Sequence, residues 1–250
     1  MGRDEHQRAV RFRTARRDPQ LTVVEGFHAL KHALRFGAEL VEAVAVDPPA
    51  LESMAAALAP DLSGRLAGRV EQIDKEALAD LVPLVPHTGV AAIARRPAVD
   101  PGAALAAPGP APVVLLEQPR NMGNIGACIR VAAGAGAAAL LTTGENDPWH
   151  PDAVRGAAGL QFALPVAAVE ALPPSDRPLL AIDPEGEDLR PGLIPPRAVL
   201  AFGTERHGLS GEVFERAQAR VAIPMREGVS SLNLATSVAI VLFLTRLAGE

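Results

Sequence analysis

The chain has 250 residues, 48% of them hydrophobic and 21% charged, enough for one large domain or two modest ones with real cores. Aromatics make up 3%, with seven Phe, one Trp and no Tyr, so the core must be aliphatic. The formal net charge of -5 on its own speaks against a basic nucleic-acid binder, and a single Cys excludes an internal disulfide.

The first segment, residues 1–19, is rich in arginine: Arg3, Arg8, Arg11, Arg13, Arg16 and Arg17. It reads as a flexible segment, either a solvated tail or an arm that neutralises phosphates. Residues 1–35 hold eight basic and four acidic residues, net +4, whereas 36–112 are net -5 and 113–250 net -4. Residues 20–96 alternate helix and strand signals and predict a small α/β domain. Within 25–36, Phe27, Leu30, Ala33 and Leu34 fall on one helical face. Residues 41–46 and 89–93 read as strands, and 54–58 and 75–81 as helices. The stretch 97–112 holds five Pro, two Gly and six Ala, a composition expected of a semi-stiff linker.

Beyond it, residues 113–116 (VVLL) have the apolar run of a buried parallel strand. A helix is predicted over 124–133, strands over 138–141, 179–182, 199–202 and 221–223, and a long apolar helix over 233–247. This alternation predicts a mostly parallel sheet covered on both faces over residues 113–250. The polar N-terminus lacks an apolar signal region, and the apolar run 238–244 is too short to span a bilayer. The chain therefore reads as cytoplasmic, with no membrane association.

Several chemistries lack their signature. There is no G-x-x-x-x-G-K-[ST], and the G-x-G beginning at Gly134 fails at Ala139, where a third glycine belongs. No G-x-S-x-G elbow occurs. Cys128 sits in an apolar helical pattern and reads as a core residue. His28 and His32 stand four apart on a helix, but the intervening Glu of H-E-x-x-H is missing and no Cys lies nearby, so no metal site is expected.

Three polar motifs fall where the carboxyl ends of strands should lie. The first is RNMGNIGACIR, residues 120–130, after the 113–116 strand; Gly123 and Gly126 allow close approach and Asn124 can cap the next helix. Arg130, in an otherwise apolar helix, calls for a partner or a ligand. The second is FGTERHGLS, residues 202–210, a Gly-rich turn holding Glu205, where open α/β sheets place ligands. The third is IPMREGVSSLNLA, residues 223–235; Pro224 ends a strand, Ser230 or Ser231 can cap the last helix, and Asn233 falls in its first turn. Ordinary capping and surface turns would account for each motif taken singly.

In order, spacing and context the three together resemble the motifs of the SpoU (TrmH-type) RNA 2′-O-methyltransferases: N-x-G-x-x-x-R, G-x-E-x-x-G-L-S and I-P-M…S-L-N. The first half is similar, more loosely, to the family's small ribosomal-protein-like RNA-binding domain, through Val24-Glu25-Gly26 and His87-Thr88-Gly89-Val90. The resemblance implies a C-terminal parallel α/β domain tied in a trefoil knot and binding S-adenosylmethionine, with backbone contacts at Gly203, Ile223 and Leu232. It implies methyl transfer to a ribose 2′-hydroxyl of structured RNA, ribosomal slightly ahead of transfer RNA. Arg130 would contact the target phosphate or assist deprotonation; a guanidinium does not readily give up its proton, which favours phosphate positioning. Asn124, Glu205, Ser231 and Asn233 would orient Arg130, the ribose and the cofactor, with Arg155 more weakly placed near substrate. A homodimer through the knotted domain is also implied. Leu234, Val238, Val241, Leu242 and Leu244 would supply its apolar surface, unless they form a fully buried core helix. A non-catalytic RNA-binding protein keeping the same fold is the alternative; it would be expected to lose Arg130, Glu205 or Asn233, and all three are present.

Overall fold

The computed structural model describes residues 3–62, 64–66, 68–204 and 208–248. The chain divides into two compact units. One comprises Met1–Ala98 with Trp149–Ala163, the other Val99–Pro148 with Leu164–Glu250.

The first unit contains α1 (Arg3–Ala15), β1 (Leu21–Glu25), α2 (Phe27–Arg35), β2 (Leu40–Ala45), α3 (Pro48–Leu58), β3 (Glu71–Gln72), α4 (Lys75–Leu81) and β4 (Val90–Arg95). Its sheet has the order β1-β4-β2-β3, antiparallel except for the β2/β3 pair. The face predicted for α2 is the one buried: Phe27, Leu30, Ala33 and Leu34 are all in the core. The β1 strand was not visible in the helix periodicity, because LTVVE leads straight into the turn at Gly26, whose φ is +83°.

The Arg-rich segment is not a flexible tail. It forms α1, whose Ala9, Phe12 and Ala15 pack into a cluster with Val23, Val44, Leu78 and Ile93. Three of its arginines are held by the unit's own carboxylates: Arg8 and Arg11 by Glu42, and Arg16 by Glu25. Arg8 also pairs with Glu71. Burial opposes the charged form of Glu42, but hydrogen bonds from Arg11 and Arg8 outweigh it and hold the carboxyl below its ordinary pKa.

Residues 149–163, assigned by the sequence to the C-terminal domain, belong to this first unit. They carry a short helix, α7 (Pro151–Gly156) in chain order. The Thr22 hydroxyl donates to the Trp149 carbonyl at 3.0 Å, and His32 Nδ1 lies 2.8 Å from the Ala158 carbonyl. Gly159 is pressed on α2: a Cβ there would lie 2.3 Å from the Ala29 carbonyl oxygen.

The second unit contains α5 (Pro101–Ala106), β5 (Val113–Leu116), α6 (Met122–Ala135), β6 (Ala139–Thr142), β7 (Val166–Ala168), β8 (Leu179–Asp188), β9 (Val199–Phe202), α8 (Gly211–Arg216), β10 (Ala219–Ala222) and α9 (Leu234–Ala248). Its six strands are all parallel, in the order β10-β8-β9-β5-β6-β7. Val113, Leu115, Ala139, Leu141, Val199 and Ala201 form one core with Leu105 of α5 and Val213 of α8. The intervening Val114, Leu116, Leu140 and Leu200 are equally buried, so both faces are covered.

Part of the expected linker is structured. Asp100 accepts from the amides of Gly102 and Ala103, and Pro101 starts α5, which buries Ala104 and Leu105. Arg177, a residue only 4% exposed, ties this segment down: its guanidinium donates to the carbonyls of Leu105, Ala107, Ala111 and Arg197. In α9, Leu234, Val238, Val241 and Leu242 are buried, so they are core residues rather than spare surface. The apolar residues left exposed on α9 are Ile240, Phe243 and Leu247. Among the described residues no helix is long and apolar enough to cross a membrane.

Candidate active site

The carboxyl ends of β9 and β10 and the middle of β8 surround a cavity of about 240 Å³ in the second unit. Gly203, Ile223, Ser231 and Leu232 line it, as do Ile182 and Asp183. The last two reach it because β8 slips against β10. Ala219 and Arg220 pair with Leu180 and Ala181, but Val221 and Ala222 pair with Glu187 and Asp188, so the residues between bulge out. Among the described residues no Lys, Arg or His lines the cavity, and Asp183 is its one charged side chain.

The second motif makes one wall by close backbone approach. A Cβ at Gly203 would lie 2.1 Å from the carbonyl carbon of Gly208, so only glycine fits. Thr204 and Gly208 exchange both backbone hydrogen bonds, at 3.2 and 3.0 Å, and pinch the turn shut. Glu205 lies in residues 205–207, outside the described residues.

Capping is arranged differently from the sequence expectation. Asn121, not Asn124, caps α6: its Oδ1 accepts from the Asn124 amide at 2.9 Å. Gly123 is small because a Cβ there would sit 3.0 Å from that same oxygen. Asn233, not Ser230 or Ser231, caps α9, with Oδ1 accepting from the amides of Ala235 and Thr236. Both displacements have one cause. The helices start two residues earlier (α6) or one residue later (α9) than periodicity suggests, and an Asn amide reaches the N2 and N3 donors as well as a Ser hydroxyl does. Asn124 is thereby released from capping, and its Oδ1 accepts from Asn233 Nδ2 at 3.1 Å. The first and third motifs, 109 residues apart, meet in this bond.

Arg130 is exposed on α6 and forms no hydrogen bond or ion pair among the described residues. At an exposed position its charge does not require a partner within the protein. It does not line the cavity. Arg155 lies in the first unit, paired with Glu25 and Asp152.

Sequence reasoning missed Glu117. It follows β5 directly, and its two carboxylate oxygens accept from the amide and hydroxyl of Ser210 at 2.7 and 2.6 Å. Its own amide donates to the Phe202 carbonyl. Glu117 thus joins the loop after β5 to the second motif. A small cleft of about 100 Å³ beside it is lined by Arg120, Gln118, Thr204 and Ser210. Gln118 has φ +47°, a costly conformation for a residue with a side chain. The available signal was a lone acid at the carboxyl end of a fully apolar strand. Asp183, immediately after the apolar 179–182, carried the same signal.

Residues 111–243, more than half of the chain, match the model of the SpoU rRNA Methylase family. Among curated relatives, an uncharacterised tRNA/rRNA methyltransferase of Synechocystis sp. is 31% identical over 148 residues, 53% of this chain and 52% of the relative. The 23S rRNA (adenosine(1067)-2′-O)-methyltransferase of Streptomyces azureus is 28% identical over 240 residues, 91% of this chain and 87% of the relative. The chain spans about half to three fifths of the length of the first curated relatives it matches. Among solved structures, the SpoU methyltransferase AviRb of Streptomyces viridochromogenes, in complex with AdoMet, superposes with a TM-score of 0.79 at 24% identity, covering 99% of this chain and 98% of that one. A crystal structure of an RNA 2′-O ribose methyltransferase gives a TM-score of 0.70 at 26% identity, covering 98% and 95%.

Proposed function

The chain belongs to the SpoU rRNA methylase family, and on that premise we propose that it transfers a methyl group from S-adenosylmethionine to a ribose 2′-hydroxyl of a structured RNA, ribosomal RNA ahead of transfer RNA. The observation that carries this is the cavity at the sheet's carboxyl ends, where Gly203, Ile223 and Leu232 meet and beside which Asn124 bonds Asn233.

The residues present fit the cofactor. The cavity offers a backbone cradle at Gly203 that a Cβ would fill, apolar walls from Ile223 and Leu232, the carboxylate of Asp183 and, among the described residues, no side-chain cation. That set suits a ligand with a flat base and positive charge. When bound, S-adenosylmethionine supplies an activated methyl group on a sulfonium. The remaining work is positional. Ser231 and the Asn124–Asn233 pair orient the ribose beside the cavity, and Glu205 is assigned to the same group by its motif. Arg130, permanently charged and exposed, holds the phosphate next to the target ribose and lowers the pKa of its hydroxyl through its field. The 203–210 and 223–233 loops are where a knotted chain path would close. The exposed stripe Ile240, Phe243 and Leu247 is the surface a homodimer would bury. The small first domain would take the RNA, with the enzyme acting in the cytoplasm.

Calorimetry with S-adenosylmethionine, followed by transfer of labelled methyl to ribosomal RNA and nucleoside mass spectrometry, tests this. Arg130→Ala is expected to keep cofactor affinity and to lose most transfer, in the range of 10²-fold or more. Absence of cofactor binding, or label on a base instead of a ribose, would refute the assignment. The same transfer at the wild-type rate in Arg130→Ala would remove that residue from the mechanism.

A further inference from the structure

The first unit has a groove of about 750 Å³ that no part of the methyl-transfer chemistry uses. Its volume is within the range of a small-molecule or single-nucleotide site. Phe27 and Met54 form apolar lining. Leu58 and Leu84 stand on the same lining and are 62% and 69% exposed. Large aliphatic side chains this exposed on a concave surface mark a contact site.

The polar groups around these walls are mostly donors. Lys31 and His28 come from α2, and His87 and Thr88 from the turn before β4. The turn is held against α2 by the Phe27 amide, which donates to Thr88 Oγ1 at 3.0 Å. Gly26 makes the bend between β1 and α2 at φ +83°, a conformation that favours glycine. The one carboxylate on the lining, Glu25, has a side chain only 2% exposed and is bonded by Arg16 and Arg155. It is neutralised inside the unit and does not repel an anion at the surface.

Apolar walls, two exposed imidazole rings, a lysine and no exposed acid describe a site for a flat heterocycle bearing acceptors and a phosphate. We infer that this groove receives one unstacked nucleotide from a single-stranded part of the RNA substrate, its base between the leucines and histidines and its phosphate toward Lys31. This inference rests on the proposed RNA methyltransferase activity and names where substrate is read. Single-stranded RNA is recognised by splaying bases onto aromatic rings, histidine included, and each such contact is worth roughly tenfold or more in affinity. Phe27 on the lining is buried, so His28 and His87 are the exposed rings that the groove presents.

The test uses the full chain, with Leu84→Asp and His87→Ala made separately. Both positions are exposed, so neither change disturbs the core. Binding is measured to a hairpin RNA with an unpaired loop and to a fully paired duplex of equal length. S-adenosylmethionine affinity is measured on the same samples. Each variant is expected to bind the hairpin about tenfold more weakly, with duplex and cofactor affinity unchanged. Ultraviolet crosslinking of the wild type to the hairpin is expected to label peptides containing residues 84–88. Unchanged hairpin affinity in both variants overturns the inference, as does crosslinking confined to the second unit. Loss of cofactor binding in the wild type overturns the methyltransferase reading instead, so the two failures are told apart.

Discussion

Replacing Glu117 by Gln tests whether the second motif is held from outside. In the wild type both carboxylate oxygens are engaged by Ser210, at 2.7 Å from its amide and 2.6 Å from its hydroxyl. These are charge-assisted bonds, of which each contributes about 1.5–3 kcal/mol. Glutamine keeps one acceptor and sets an NH₂ where the second stood. The hydroxyl can rotate to accept from it, and half-burial lets water share the load, so the expected net loss is about 1.5 kcal/mol. Ser210 sits two residues from Gly208, whose backbone pins Gly203 against the cavity. If the loss falls on ordering of that turn, S-adenosylmethionine affinity drops about tenfold. Glu117→Ala removes both bonds and should cost about twice as much free energy. Calorimetric titration of wild type, both variants, Ser210→Ala and the double mutant gives the coupling directly. A coupling energy near zero, or wild-type affinity in Glu117→Ala, refutes the reasoning.

Other perturbations follow from the same geometry. Arg177→Met keeps the aliphatic stem but strips four carbonyls of their donor. With the Leu105 carbonyl left buried, we expect a loss of about 3 kcal/mol, or a fall in melting temperature of roughly 6–12 °C by calorimetry. Arg177→Lys should rescue little of it, because an ammonium cannot span the fork. Gly203→Ala places a methyl group on the Gly208 backbone and should abolish measurable cofactor binding while costing about 1–3 kcal/mol in stability. In the first unit, Glu42 has a lowered folded pKa, so its contribution is present above the ordinary glutamate range and is lost as pH falls through the folded value. Protection of the α1 amides from exchange, relative to the intrinsic rate, should therefore be lost once the pH falls below the ordinary glutamate range, and Glu42→Gln should show weak protection already at neutral pH.

The strands of the second unit were readable because a parallel sheet covered on both faces demands uninterrupted apolar runs. VVLL and VLAF begin and end where the sequence places them. The cofactor candidates Gly203, Ile223 and Leu232 were readable through their motifs, and the structure gathers them around one cavity. What stayed hidden depended on partners distant in the chain. The arginines of α1 look like a basic arm until Glu42, Glu71 and Glu25 are folded against them. Residues 97–112 look like a spacer because the four carbonyls that Arg177 holds leave no trace in composition. Glu117 and Asp183 carry no pattern of their own; their meaning comes from Ser210 and from a register slip in the sheet.

The Asn124–Asn233 bond has a direction. Asn233 Oδ1 accepts from two amides at the start of α9, so a half-turn of its side-chain amide would face donors with donors. The helix start therefore fixes which end of Asn233 is nitrogen, and that nitrogen fixes Asn124 Oδ1 as the acceptor. The orientation of both amides is thus read outward from backbone groups of α9, without any contribution from a ligand. An aspartate at 233 has nearly the same size and would cap the helix at least as well. It would nevertheless present oxygen to oxygen across the gap and unlatch two motifs while leaving the fold intact. A single-atom change there separates helix stability from site assembly, two properties that most substitutions at this junction would lose together.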